Sequence, residues 1–283
     1  ISSFADYKQV LKKAYVIIDR DERISTIQKD ANKLASDNGL DIIDDKQLLN
    51  EVAGLTEYPV TMIGSYEEDF LTVPPEALTS AMRTHQKYFS LKDKNDKLTN
   101  KFIFISNINT EDNGAKIIAG NERVLHARLS DTKFFWDQDL KSTLTDHITA
   151  LNKIVFQSKL GTVGQRIERL ETLSGFIATL IGADVQQSKL AAKLSKSDLV
   201  TGMVDECPEL QGLMGKYFAL SEGQDAAVAE AIADQYSPKG PSDNCPSSPV
   251  SMALALAEKI DILVGFFGIN EKPTGSKDPF ALR

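Results

Sequence analysis

The sequence predicts an α+β domain followed by an all-α domain, and three observations carry that reading. Up to residue 118, helical periodicity alternates with β-branched and apolar runs, of which KFIFISNI (101–108) is the strongest. From about residue 111 onward, apolar positions recur only at helical spacing. The Pro-, Gly- and Ser-rich stretch KGPSDNCPSSP (239–249) is the clearest loop, because those residues leave little helix or ladder hydrogen bonding. The boundaries follow as a mixed α/β domain over 1–118 and an all-α domain over 119–283.

The elements are predicted in order as follows. AYVIID (14–19) is a short β-like run. DERISTIQKDANKLASDNG (21–39) places Ile24, Ile27, Ala31, Leu34 and Ala35 on one helical face and closes on Asn38-Gly39 as a C-cap. KQLLNEVAGL is a second short helix, and PVTMIGSY and DFLTVP are strands. Pro74 and Pro75 sit where a first helical turn tolerates them and open PEALTSAMRTH. KYFSLKD and KFIFISNI form a hairpin across the polar DKNDKLTN connection, with KFIFISNI as a central strand. GAKIIAGNERVLHARLSDTKFFWDQDLKSTLTDHITALNKI is one long helical region with a candidate break near Ser130-Asp131. QRIERLETLSGFIATLI aligns Ile167, Leu170, Leu173, Ile177 and Leu180 on one face. DVQQSKLAAKLSKSDLVTGMV, ELQGLMGKYFAL and DAAVAEAIADQY follow as helices, and the strongly apolar SPVSMALALAEKIDILVGFFG is the bundle centre.

Composition bounds the function classes. With 42% hydrophobic and 25% charged residues, 283 residues suffice for one large or two medium globular domains. No apolar run approaches the roughly 18–20 residues of a membrane span. Two cysteines, Cys207 and Cys245, form no framework and no CxxC pair, so a reducing cytoplasm is expected. A net charge of −8 argues against bulk nucleic-acid binding but allows a local basic patch. ISSFADYKQV opens with neither an initiator methionine nor a signal peptide, and KDPFALR stops where a helix is starting. The chain is therefore expected to be a fragment of a longer protein.

The stretch SKSDLVTGMVDECPELQGLMGKYFAL (195–220) bears most directly on chemistry. In metal-dependent phosphohydrolases of the HD superfamily, an adjacent His-Asp on a helix binds a divalent metal, and a further His and a distant Asp complete the site. AAKLSKSDLV resembles that helix, with Ser197-Asp198 where His-Asp would stand. Arg169 in RIERLETL occupies the place of the first His, and Glu258 in ALAEKID that of the last Asp. One carboxylate of the central pair survives and the imidazoles do not. Ser and Arg cannot replace imidazole as transition-metal ligands, and His85, His126 and His147 all lie off this helix. A degenerate, metal-free HD-like bundle is expected. Asp205, Glu206 and Glu209 read best as solvated residues capping turns, with Pro208 in a first turn. Gly212 and Gly215 each cost about 1 kcal/mol against Ala in a helix. Their expected use is to admit a neighbouring backbone, that of SPVSMALALAEKIDILVGFF.

The segments SKSDLVTGMVDECPELQGLMGKYFAL, AIADQYSPKGPSD, ALALAEKIDILVGFF and PTGSKDPFALR together resemble the β subunit of bacterial heterotetrameric glycyl-tRNA synthetase. FLTVPPEALTSAMRTHQKYFSL and GNERVLHARLSDTKFFWDQDL agree with it, so the resemblance covers essentially the whole chain. Two departures are Cys207, where an aromatic residue is expected, and Glu258, where Asp is expected. The resemblance implies an enzyme that activates glycine with ATP and transfers it to the tRNA 3′ end. The class II core, with ATP and Mg, would sit in the separate α subunit. The β subunit would supply recognition of tRNA(Gly), and its anticodon-binding-like C-terminal region is absent from this chain. No catalytic residue and no cofactor are then expected here, and the partners would be the α subunit and tRNA(Gly), with no membrane.

Without the resemblance, RNA contact is only weakly indicated. Arg123, Arg128 and Lys133 lie within a few turns near aromatics, and Lys193 and Lys196 follow on the HD-like helix. The competing reading is a solvated face anchored by Phe134-Phe135-Trp136. His85 and Lys87 in THQKYF could touch RNA or merely join two elements. PTGSKDPFALR lacks the GxxxxGK spacing of a phosphate loop, yet Lys277 beside Gly275 could contact phosphate. Three functions compete: a tRNA-recruiting part of a synthetase subunit, an HD-type phosphohydrolase, and a purely structural docking module.

Overall fold

Side chains cap the N-termini of many of the α-helices. The computed structural model describes residues 1–280 and 282. Compact packing divides them into two units, Ile1–Phe134 and Phe135–Arg283.

In the first unit, α1 (Phe4–Lys13) is capped by Ser3, which accepts from the Asp6 amide. It buries no residue, and its polar composition and short length hid it from the periodicity argument. α2 (Arg20–Asp37) is capped by Asp19, and α3 (Lys46–Leu55) by Asp45. Strands β1 (Asp41–Ile42), β2 (Val60–Ser65), β3 (Phe89–Lys92) and β4 (Leu98–Ser106) form an antiparallel sheet in the order β1-β3-β4-β2. β4 is central, and Phe102, Ile103 and Phe104 in it are all buried, because both faces are covered. Ile103 packs with Ile27, Ala31 and Ala35 of α2 and Leu48 and Val52 of α3. Phe102 points the other way and stacks on Tyr88, whose hydroxyl donates to Asn121 Oδ1 at 2.6 Å. Asn121 belongs to α5 (Ala115–Asp139), within which the division between the units falls.

Two predicted strands of this unit are not strands. AYVIID has no ladder partner: Tyr15 turns left-handed at φ 61°, the Tyr15 and Val16 amides fold back onto Lys12 O and Leu11 O of α1, and the Ile17 amide donates to Glu57 O. DFLTVP winds into a 3₁₀ turn, Glu68–Thr72, because Phe70 and Val73 bury at a spacing of three. Pro75 then opens α4 (Pro75–Ala81), which continues as a π turn to Gln86.

The second unit is helical with one small exception. The long helical region breaks after Asp139, not near Ser130-Asp131, because Thr143 and Asp146 form a capping box that starts α6 (Leu144–Leu151). A short hairpin follows, β5 (Val155–Gln157) and β6 (Gly161–Thr162), so the expectation of an all-α region with no strand after KFIFISNI is corrected. Thr162 and Gln165 make a second capping box at the start of α7 (Val163–Ile181). α8 (Val185–Leu194) ends sooner than its periodicity implied, and a 3₁₀ turn, Ser197–Val200, separates it from α9 (Gly202–Glu206). Cys207 caps a further turn opened by Pro208. α10 (Leu213–Ser221), α11 (Ala226–Asp234) and α12 (Pro249–Gly268) complete the unit. α12 packs on α7, α8 and α11.

Gly212 is not inside a helix. It takes φ +83° at the N-cap of α10, a conformation that disfavours side chains. Gly215 is helical, and its neighbour is α11 rather than α12. A Cβ there would lie 2.7 Å from Ile232 Cγ2 and 3.2 Å from Asp198 Oδ2. Gly215→Leu should therefore lower stability by about 1–3 kcal/mol through overpacking. An unchanged melting temperature would contradict this packing.

Candidate functional site

Three segments of the second unit bring charged side chains into its interior. α7 contributes Arg166 and Arg169, one turn apart on the face toward α12. α12 contributes Glu258 and Asp261 at the same spacing. The turn after α8 contributes Lys196, Ser197 and Asp198, because the chain leaves the helix inside the core rather than at its surface.

Lys196 is 2% exposed, Glu258 3% and Asp198 0%. Lys196 Nζ donates to Glu258 Oε1 at 2.8 Å and lies 4.0 Å from the centre of the Tyr236 ring. Arg166 Nη2 stands 2.9 Å from the same Glu258 oxygen, and its Nε donates to Asp261 Oδ2 at 3.1 Å. Arg169 closes the chain, donating from Nε to Asp261 Oδ1 at 2.7 Å and from Nη1 to Leu160 O at 3.2 Å. Asp198 stands apart from these ion pairs. Its Oδ2 accepts from the Gly212 amide at 2.5 Å and from the Gly215 amide at 3.1 Å. Gly215 without a side chain is what lets that carboxylate reach the start of α10.

Burial dominates the titration of this cluster. It pushes the Asp198 carboxyl up, against the two amides that favour its charged form. Burial also pulls the Lys196 ammonium down, opposed by Glu258. For Glu258 burial acts upward, yet Lys196 and Arg166 outweigh it and hold the carboxyl below its ordinary value. Glu258 is thus the ionised hub. Among the described residues, no three His, Cys, Asp or Glu side chains are grouped so as to hold a metal ion. Here the carboxylates are bound by protein cations, and Ser197 offers no imidazole.

The residues singled out as degenerate HD positions, Arg169, Ser197, Asp198 and Glu258, all belong to this unit. Arg169, Glu258 and Asp261 are joined by ion pairs, while Asp198 and Ser197 sit on the neighbouring turn. Sequence reasoning missed Arg166 and Asp261. The available clue was two acids spaced by three in the most apolar helix of the chain, matched by two arginines spaced by three in RIERLETL.

The residues proposed to contact RNA separate sharply. Lys196 is buried and committed to Glu258, so its expected place on a basic surface is corrected: desolvation of an unpaired ammonium would not be compensated there. Lys193, one turn earlier on α8, is exposed. In the first unit, Arg123 is exposed and lines a cleft with Ser65, Tyr66, Glu67, Glu122 and His126. His126 Nδ1 shares a hydrogen bond with Glu67 Oε1 at 3.0 Å. Lys133 donates to Thr72 Oγ1 at 3.3 Å, and Arg128 is half-buried. Lys87 pairs with Glu51 at 2.8 Å, while His85 is exposed on the π turn. Lys277 is exposed in a turn where its amide donates to Thr274 Oγ1. Trp136 is a core anchor stacked on Phe218, but Phe134 is exposed. Asp205, Glu206 and Glu209 are exposed, in keeping with their reading as turn residues.

Comparison with known proteins gives this arrangement its context. Residues 1–283 match a family model described as the glycyl-tRNA synthetase beta subunit, and the chain belongs to that family, a class of aminoacyl-tRNA synthetase subunit. It is 52% identical to the glycine–tRNA ligase beta subunit of Rhodospirillum centenum over 286 residues, covering 100% of this chain and 40% of that protein. The beta subunits of Ruegeria sp. and Phenylobacterium zucineum are 49% and 45% identical, and this chain covers 42% and 43% of them. The chain thus spans about 40% of the length of the curated relatives it matches.

Lys196→Ala leaves Glu258 with Arg166 alone and should cost about 3–5 kcal/mol, the range for breaking a buried ion pair. Lys193→Ala, on the exposed face, should change stability by less than about 0.5 kcal/mol. Thermal denaturation of the two variants side by side checks the assignment; equal melting temperatures would refute it.

Proposed function

We propose that this chain works as part of the β subunit of glycine–tRNA ligase. In that reading it supports tRNA(Gly) recognition and glycylation beside an α subunit that carries the adenylation site, with its ATP and Mg. The observation that carries this is the family match over the full length of the chain. The second unit is read as an HD-like scaffold whose metal position has passed to ion pairs. Its interior supports a non-catalytic role, because Lys196, Arg166 and Asp261 are bound to one another's partners and Asp198 is closed off by α10. A phosphohydrolase would need an open ligand position, which a buried ammonium over Tyr236 does not provide. No described helix is long and apolar enough to cross a membrane, and a cytoplasmic location accords with a role in translation.

RNA contact is assigned to the exposed side chains Arg123, Lys193, His85 and Lys277, with Arg128 and Lys133 as supporting positions and Lys87 held back by Glu51. The net charge of −8 sharpens such contacts, since the remaining surface repels phosphate. Arg123→Glu with Lys193→Glu in the complete enzyme should raise the KM for tRNA several-fold and flatten its salt dependence. Glycine-dependent ATP–pyrophosphate exchange should stay unchanged. If charging of tRNA is unaffected in a normally folded double variant, RNA does not lie on these residues.

A docking role is favoured by a second observation. α7 and α12 expose Phe176 (62%), Ile260 and Val264 (68%) along one groove, an apolar patch of the kind that marks interaction surfaces. In the two-subunit enzyme this groove is the natural seat for protein rather than RNA. Val264→Asp should weaken assembly of the complete enzyme in sedimentation while leaving the melting temperature of this part unchanged; unaltered assembly would remove the docking role.

A further inference from the structure

Eight buried side-chain polar atoms of the described chain lack a hydrogen-bond partner within the protein, and most belong to the charged interior of the second unit. They include Ser197 Oγ, Asp198 Oδ1, Gln235 Oε1 and Glu258 Oε2, with Arg166 Nη2 paired by distance but too bent to hydrogen-bond. All five residues are more than nine-tenths buried. Such a concentration is unusual, because nearly all buried polar groups are satisfied by protein or by ordered water.

These atoms belong to segments that meet. Tyr236 is electrostatically coupled to Asp198, Glu258 and Arg166, and its ring covers Lys196. Its neighbour Gln235 donates from Nε2 to Ser195 O at 2.6 Å and to Ile232 O at 2.7 Å, which leaves its Oε1 as an acceptor. Ile232 itself packs where a Gly215 Cβ would be, beside Asp198. Some nearby donors are engaged elsewhere, while Arg166 Nη2 and the Ser197 hydroxyl are themselves unmatched. Lys196 Nζ is on Glu258 Oε1, and the Gly212 and Gly215 amides are on Asp198 Oδ2. Three unmatched acceptors beside two unmatched donors call for a group that both donates and accepts.

Charge decides the class of that group. Lys196, Arg166 and Arg169 face Asp198, Glu258 and Asp261, so the cluster is already balanced. A divalent cation would add two uncompensated charges in a low-dielectric interior. A neutral molecule that donates two hydrogen bonds and accepts others fits without that cost.

We propose that this charged interior holds a closed water site, in which at least one long-lived water donates to Asp198 Oδ1 and Glu258 Oε2 or Gln235 Oε1 and accepts from the Ser197 hydroxyl. This inference stands independently of where RNA or the α subunit binds. Oxygen-17 magnetic relaxation dispersion on the whole chain counts water molecules with residence times beyond nanoseconds. Ser197→Val replaces the hydroxyl by a methyl group and should lower that count by at least one. Water-to-amide cross-relaxation at Gly212 and Gly215 of the unaltered protein gives a second reading that does not depend on the variant folding. The expected result is slow-water cross-peaks at both amides. Their absence overturns the proposal, as does an unchanged count in a folded Ser197→Val protein. A stoichiometric metal found by elemental analysis would also overturn it, since the site would then hold a cation.

Discussion

The ion pair between Lys196 and Glu258, reinforced by Arg166, is the interaction on which the second unit depends. It joins α12, α7 and the turn after α8 at one oxygen atom. Taking such charges out of water is costly, and a well-packed apolar set of the same volume would often be at least as stable. The pair nonetheless restricts the register of the helices. Sliding α12 by one residue would separate Glu258 from both cations and leave buried charge unpaired. The helix crossing is therefore fixed by electrostatics as well as by the apolar contacts of Leu254, Ala257 and Phe266. Asp198 extends the same control to α10, whose first amides it caps from the side.

That interior ties the helices of the second unit together through charge. A metal centre ties helices together through carboxylate and imidazole ligands. Here ammonium and guanidinium groups tie the helices to the carboxylates directly. The cost is closure. Lys196 lies under Tyr236, and Asp198 and Glu258 are almost wholly buried. Function is left to the surfaces: exposed cations on α5 and α8, and the apolar groove of α7 and α12. The first unit shows the same division between scaffold and surface. Its sheet is covered on both faces, while Arg123 and His126 line an open cleft beside Ser65, Tyr66 and Glu67.

Much of this was legible in the residues themselves. The 3.6-residue repeat in QRIERLETLSGFIATLI and the apolar length of SPVSMALALAEKIDILVGFFG were enough to define α7 and α12, because burial of one face leaves a periodic mark. KFIFISNI announced a central strand, since only a sheet covered on both faces tolerates consecutive apolar residues. The long motifs that mark the beta-subunit family were also present in the linear sequence. What the one-dimensional pattern could not supply was partnership. AYVIID has strand-like residues but no neighbour to pair with, and DFLTVP buries two residues three apart instead of alternate ones. Gly212 and Gly215 signalled close approach but not by which helix.

The sequence by itself determined the mixed α and β character of the first part, the main helices of the second and the family, because periodicity, turn chemistry and motif order are properties of the chain alone. Only the tertiary structure decided which charges are interior. Lys193 and Lys196 are three residues apart and chemically identical, yet one is exposed and the other is sealed against Glu258. The difference arises because α8 ends at Leu194 and the next turn drops into the core, and no local feature of a lysine records where the acid from a helix 62 residues later will lie.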